Sequence, residues 1–337
     1  MSRYARQISL PEIGVSGQER LARARVLVIG AGGLAAGLLP ALIGAGVGAV
    51  EVMDHDEVEL SNLHRQTLFR AEDIGQPKAL CAVKNLRGLN EECRLTAHVA
   101  RMDPARARQM IEAPRARFDV VIDAADSAAL TYAVSDVCAR AGVPLISASV
   151  LGRQGMVGGF CGAPMSAAPD YRSVFPDLPM RMQTCAQAGV MGPAVVVMGA
   201  LQAQMTLSVL LDHTPSPLGQ MMSVDLATWR VSSFRFDGDG DGGGALGGGG
   251  QAADAPEIIA LSEITPEDIV IELRGQQEAP APAHPAAMRI LPDDLAQFTP
   301  SHKGRIVLIC ASGLRAWHGA RALQSRFDNT TAIVAAG

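Results

Sequence analysis

A short apolar run, Arg25-Val26-Leu27-Val28-Ile29, ends in Gly30-Ala31-Gly32-Gly33-Leu34-Ala35 and passes into a helix-like stretch reaching about Ala45. Glycines at these positions let the backbone turn tightly and approach phosphate oxygens, which the amide dipoles at the start of the next helix attract. About 24 residues past Gly30, Asp54 closes a second apolar run, Ala49 to Met53, where a carboxylate accepts hydrogen bonds from ribose hydroxyls. Turn and acid together specify an adenine nucleotide, and by themselves leave NAD and ATP both open.

Four further clusters bear on that choice: Arg3-Tyr4-x-Arg6-Gln7, Ser61-Asn62-Leu63-His64-Arg65-Gln66, Gly75-Gln76-Pro77-Lys78, and Asp123 with Asp126. A hydride-transfer site has no use for several fixed cations. Displacement at phosphorus needs them, because charge builds on the phosphoryl oxygens and on the pyrophosphate that leaves. Asp126, at the end of a strand beside the glycine turn, is suited to hold the Mg²⁺ that bridges those oxygens. His64 reads as a neighbour of the site, since attack by a carboxylate requires no proton to be removed.

These motifs, RYxRQ, GxGGL, the stretch from Asp54 to Gln66, GQPK and D-x-x-D, resemble the ThiF/MoeB/HesA family, bacterial relatives of ubiquitin-activating enzymes, over residues 3 to 236. The resemblance implies ATP-dependent adenylation of the C-terminal carboxylate of a small ubiquitin-like sulfur-carrier protein ending in Gly-Gly. It implies that Arg65 and Lys78 hold the triphosphate, Asp54 the ribose and Asp126 the metal. Gly30, Gly32, Gly33, Asp56, Asn62 and Gln66 complete the nucleotide contacts, and Arg6 reaches into the site of a homodimeric partner. Alternatives are a tRNA-modifying dehydratase of the same family, whose expected basic surface is missing here, a nicotinamide oxidoreductase, and a carrier-binding module without catalysis.

The six cysteines are scattered with no CxxC pair, which argues against a disulfide framework. Cys185, in Gln183-Thr184-Cys185 ahead of a helix start, corresponds to the crossover-loop cysteine of the family, and a thiolate there could attack an acyl group or a persulfide. Many relatives bind a structural zinc through two CxxC pairs. Here Asp170 and Ser173 occupy the first pair's positions and the second is replaced by a Gly/Asp tract, so no zinc is expected. Near the end, Cys310-Ala311-Ser312-Gly313-Leu314-Arg315 resembles the active-site loop of rhodanese-like sulfurtransferases, with Cys310 as the sulfur carrier supplied by a persulfide donor. Glu272-Leu273-Arg274 roughly matches that domain's acidic-x-Arg element.

The elements that must position these residues alternate. Apolar runs at Leu95 to Val99, Phe118 to Ile122 and Pro144 to Ser147 are separated by helical segments, predicting a Rossmann-like α/β fold with a mostly parallel doubly wound sheet. Period-two patterns from Val150 to Phe160 and from Met221 to Phe236 predict antiparallel strands added to it, with a long buried helix from Pro193 to Leu211 between. With the resemblance, this divides the chain into an adenylyltransferase-like domain over residues 1–236, a Gly/Asp-rich tether over 237–256, and a small rhodanese-like unit over 257–337 with strands at Ile269 to Leu273 and Ile306 to Ile309 and a helix after Ala316. The spacing Asp237, Asp239, Asp241 mimics a calcium loop, but Gly248 stands where its closing Glu belongs.

Of the 337 residues 48% are hydrophobic and 19% charged, an ordinary balance for a globular protein. A net charge of -5 gives no broad positive field for nucleic acid. Two uncharged stretches, Val26 to Val50 and Met182 to Leu211, are long enough to cross a membrane. The glycines and Pro40 of the first and Gln183, Gln187, Gln202 and Gln204 of the second argue against lipid, and a cytoplasmic location is expected.

Overall fold

The computed structural model describes residues 3–113, 117–163, 166, 168–178, 189–237 and 255–336. Cys185, the tether from 238 to 254 and most of the calcium-like loop lie outside them. The chain forms two sheets. The larger has eight strands in the order β3-β2-β1-β4-β5-β6-β7-β8: β1 (Arg25–Ile29), β2 (Ala49–Asp54), β3 (Arg94–Val99), β4 (Val120–Asp123), β5 (Leu145–Leu151), β6 (Gln154–Phe160), β7 (Gln220–Asp225) and β8 (Arg230–Arg235). The first five are parallel to one another, and each of the last three is antiparallel to the strand before it, β5–β6 and β7–β8 as hairpins and β6–β7 across the long helix. The expected architecture and the added antiparallel strands are both present.

The inner parallel strands are mostly apolar and buried because both faces are covered by helices, whereas the edge strand β3, with Arg94, Thr96 and His98, is only half-buried. On one face Gly33–Ala45 packs against Gly192–Leu210, and glycine sets their separation. A Cβ on Gly37 would lie 2.2 Å from the Val196 carbonyl oxygen, and one on Gly199 would lie 2.0 Å from that of Leu34. The second helix has the length and hydropathy of a membrane span, yet half of that window is buried inside the protein. Its fully buried Gln202 donates to the backbone oxygens of Asp123 (2.6 Å) and Ile146 (3.1 Å).

The smaller sheet has the order β11-β10-β12-β13-β9, all parallel, from β9 (Glu257–Ile258), β10 (Ile269–Glu272), β11 (Met288–Arg289), β12 (Ile306–Cys310) and β13 (Thr331–Ala335). Sequence reading found β10 and β12 but missed the other three. Its helix, Leu314–Gln324, begins two residues before Ala316. The unit shares an apolar core with the first: Ala129, Tyr132 and Ala133 of the Ala128–Ala141 helix pack with Ile258, Ala316 and Trp317.

Candidate active site

The strand order reverses between β1 and β4, the crevice where open α/β sheets bind ligands beyond the carboxyl ends of their strands. The chain leaving β1 must pass against the chain leaving β4. Gly30 has φ 100°, and a Cβ there would sit 2.7 Å from the Ala124 oxygen, so only glycine fits. Asp54, at the end of β2, holds the turn: its Oδ2 accepts from the Ala31 N–H at 2.7 Å and its Oδ1 from the Asp56 N–H at 2.8 Å. Burial raises the Asp54 carboxyl above its ordinary value, although those two N–H groups and Lys78 pull the other way. Each oxygen keeps a second lone pair for a ribose hydroxyl.

Lys78 opens the Lys78–Leu86 helix, is 7% exposed, and donates through Nζ to Asp56 Oδ2 at 2.8 Å. Burial works against the charged form of Asp56, but the Lys78 hydrogen bond and charge, aided by His55 and Arg101, hold its carboxyl below the usual range. In the Ser61–Gln66 segment, Arg65 donates to the Ser61 carbonyl oxygen at 3.0 Å and lies 2.9 Å from the His64 ring, which does not itself line the cavity described below. Asn62 and Gln66 are buried, and Gln66 Oε1 has no hydrogen-bond partner among the described residues.

Gly30, Gly32, Gly33, Asp54, Asp56, Asn62, Arg65, Gln66, Lys78 and Asp126 all line one cavity of about 1570 Å³. This exceeds the ~300–1,000 Å³ of an ordinary small-ligand pocket and leaves room for a peptide tail beside a nucleotide. Asp126 is exposed in the cavity and has no hydrogen bond or ion pair among the described residues, so both its oxygens are available to a cation. Asp54, His55 and Asp56 also bring ligand atoms within 4.8 Å of one another. The Lys78 ammonium on Asp56 makes that cluster the poorer cation site.

The first acid of the D-x-x-D pair has a different task. Asp123 is buried, accepts from Thr131 Oγ1 (2.6 Å), Ser147 Oγ (2.9 Å) and the Ala125 N–H (3.1 Å), and is pushed up by burial. It fastens the loop that presents Asp126. The N-terminal motif does not converge on the cavity of its own chain. Arg6 is exposed on the Ala5–Ile8 turn and does not line the cavity, Arg3 donates to the Leu89 carbonyl oxygen, and Tyr4 donates to Glu92. Arg101, which no motif marked, does line it, and donates across to the Ala336 (2.9 Å) and Ala335 (3.3 Å) oxygens at the end of β13.

Cys310 ends β12 and is fully buried; its sulfur accepts the Ala316 N–H at 3.4 Å. Gly313 turns the loop with φ 83°, which favours glycine, and starts the following helix. Arg315 neighbours the thiol and is bound by Glu278. Glu272 and Arg274 form a buried ion pair in which Oε2 also accepts the Ala283 N–H, tying the segment after β10 beneath the Cys310 loop. The buried Cys81, Cys93 and Cys138 thiols are raised by burial, Cys93 to about 11, as expected of inert packing residues.

Known proteins resemble this chain in sequence and in fold. The "Sulfur carrier protein adenylyltransferase" of Thermus thermophilus is 40% identical over 229 residues, covering 67% of this chain and 83% of that protein. The "Adenylyltransferase and sulfurtransferase MOCS3" of Sus scrofa is 40% identical over 225 residues, covering 66% of this chain but 48% of its own length. Among solved structures, that of E. coli MccB with MccA-N7isoAsn superposes with a TM-score of 0.60 at 21% identity, covering 70% of this chain and 72% of that one, a likeness of fold. The family model described as "ThiF family" matches residues 4–240, and the chain belongs to the ThiF family.

Proposed function

We propose that this protein uses ATP to adenylate the C-terminal carboxylate of a small ubiquitin-like sulfur-carrier protein ending in Gly-Gly, and then transfers sulfur to it. The observation that carries the reading is the convergence of the glycine turn, Arg65, Lys78 and Asp126 on one cavity at the carboxyl ends of the parallel strands. The names of the relatives support both halves of the activity. A nicotinamide site would leave these cations without a task.

ATP lies with its ribose on Asp54 and its phosphates along the glycine turn, between Arg65 and Lys78. A carrier carboxylate oxygen attacks the α-phosphorus, the bond to the bridging oxygen of the β-phosphate breaks, and pyrophosphate leaves. Arg65 and Lys78 offset the charge that grows on the departing group. Asp126 is the residue that fits Mg²⁺, which when bound neutralises phosphate charge; no zinc enters this reading. The carrier tail follows the open side of the cavity, past Met156, Ser223 and Arg230 of the antiparallel strands. Met156, and Phe234 on the same face of β8 as Arg230 and Ser232, are exposed on that side, which suits a carrier with an apolar face.

In the second step, persulfide sulfur on Cys310 or on an external donor attacks the acyl carbon and AMP leaves. If Cys185 then attacks the enzyme-side sulfur of the acyl disulfide, the thiocarboxylate is released and the two enzyme sulfurs remain as a disulfide, reset by an external thiol. A homodimer in which Arg6 serves the partner's site, a cytoplasmic setting, and the division 1–236, 237–256 and 257–337 belong to the same proposal. The test is pyrophosphate exchange into ATP. Exchange is expected only with the Gly-Gly carrier and to fall by on the order of 1,000-fold in Arg65→Ala and Asp126→Ala; exchange persisting in either variant assigns the chemistry elsewhere.

A further inference from the structure

The wall of the cavity is not complete within the first unit. Opposite Asp54, Asp56 and the segment after β3, its lining continues through Ile259, Ala260 and Ser262 after β9 and through Val334, Ala335 and Ala336 at the end of β13. These residues belong to the smaller sheet. Arg101, inside the cavity, clamps the last two by their carbonyl oxygens, while its charge also acts on Asp56. Outside the cavity, Arg108 and Glu263 form an ion pair between the same two bodies.

The contact that closes this wall also reaches the loop around Cys310, whose side chain is fully buried. Gly313 of its loop lies so near the Ala128–Ala141 helix that an added Cβ would come within 2.7 Å of the Ala129 Cβ. Trp317 is fully buried with its ring 6.1 Å from that of Tyr132 and under the Arg172 guanidinium. Ala129 and Tyr132 line the nucleotide cavity on their other side. One docking contact therefore joins two features, the outer wall of the cavity and the loop of a cysteine with no exposed surface.

We propose that the smaller unit is the movable outer wall of the nucleotide site, so that ATP favours the docked arrangement in which Cys310 is sealed, and release of the nucleotide frees the unit to expose Cys310 to its sulfur donor. This rests on the nucleotide reading above. Adenylation and sulfur loading then alternate in one chain, and a persulfide is shielded while ATP occupies the site. Linkage requires the effect to be reciprocal: whatever loosens the contact weakens ATP, and ATP protects what the contact covers.

The test is alkylation of Cys310 by iodoacetamide in the full chain, followed peptide by peptide by mass spectrometry, with ATP binding measured in parallel by equilibrium dialysis. At ATP about ten times its Kd, Cys310 should react up to about tenfold more slowly. Arg108→Glu should speed the reaction without nucleotide and weaken ATP, and Arg108→Glu combined with Glu263→Arg should restore both. Bound ATP with an unchanged or faster Cys310 reaction would overturn the coupling and leave the nucleotide reading intact. Faster alkylation in Arg108→Glu with undiminished ATP affinity would also overturn it. Failure to bind ATP at all would remove the nucleotide reading itself, and the coupling with it.

Discussion

Cys310 separates the two halves of the proposed reaction at the level of a single atom. Nothing in attack on the α-phosphorus involves a sulfur, so Cys310→Ser should leave carrier-dependent pyrophosphate exchange within about twofold of the parent, while thiocarboxylate formed with a persulfide donor falls on the order of 100-fold. The mass of the carrier C-terminus, which gains one sulfur for one oxygen, reads the outcome. An unchanged thiocarboxylate yield would make an external donor the direct sulfur source. Residues of this kind were legible in the sequence where a motif of fixed spacing carries them: Gly30, Asp54, Arg65, Lys78 and Asp126 meet in one cavity although they are spread over nearly a hundred residues. Arg101 was not legible, because its partners lie at Ala335 and Ala336, and no local pattern announces a contact made across that span. The sequence reading singled out Asp126 but not the role of Asp123 as its fastening, which only burial and the bonds from Thr131 and Ser147 reveal.

Among the elements, the two apolar helices on one face of the large sheet show how sequence and packing divide the work. Composition made the stretch from Pro193 to Leu211 a buried helix, and the structure shows its Gln202 bonded to the backbone of the strands. What composition could not supply is the distance of approach. Gly199 has no space for a methyl group, since its Cβ would overlap the Leu34 carbonyl oxygen of a helix that carries the glycine turn at its start. Gly199→Ala must push the helices apart, at a cost of about 1–3 kcal/mol, and should lower the thermal midpoint by several degrees. Because Gly33–Ala45 begins at the phosphate end of the cavity, ATP affinity should weaken as well, and a variant with unaltered melting and ATP binding would show that the helices adjust freely. Short elements of the second unit explain part of the converse failure: β9 and β11 have two residues each, too few for any periodicity to register, whereas the missed β13 has five.

At the scale of the whole molecule, the two bodies differ in how they carry their acids, and this gives them different limits of stability. In the larger one the directions oppose: Asp54 and Asp123 are raised by burial, whereas Glu51, Asp56 and Asp73 end below their ordinary values despite burial because cations or hydrogen-bond donors hold them. In the smaller one, every carboxyl with a resolved shift is lowered. Glu272 is buried but held by Arg274 and two backbone N–H groups, Asp268 is buried but held by Arg305, and Glu278 is bound by Arg315. A carboxyl lowered in the folded state contributes stability that is fully present above its unfolded value, near 4.5 for Glu, and is lost as pH falls through the lower folded value. Acid should therefore undo the smaller unit, and its docking, before the larger sheet. Trp317 reports this, being fully buried in the shared core, whereas Trp229 is 83% exposed and changes little. On titration from pH 7 downward, tryptophan fluorescence should change at a higher pH than far-ultraviolet circular dichroism. Glu272→Gln should move the fluorescence transition by weakening the unit at neutral pH while flattening its acid dependence. A single coincident transition in both signals would mean that the two bodies unfold as one and that the acid balance of the smaller sheet does not set its stability.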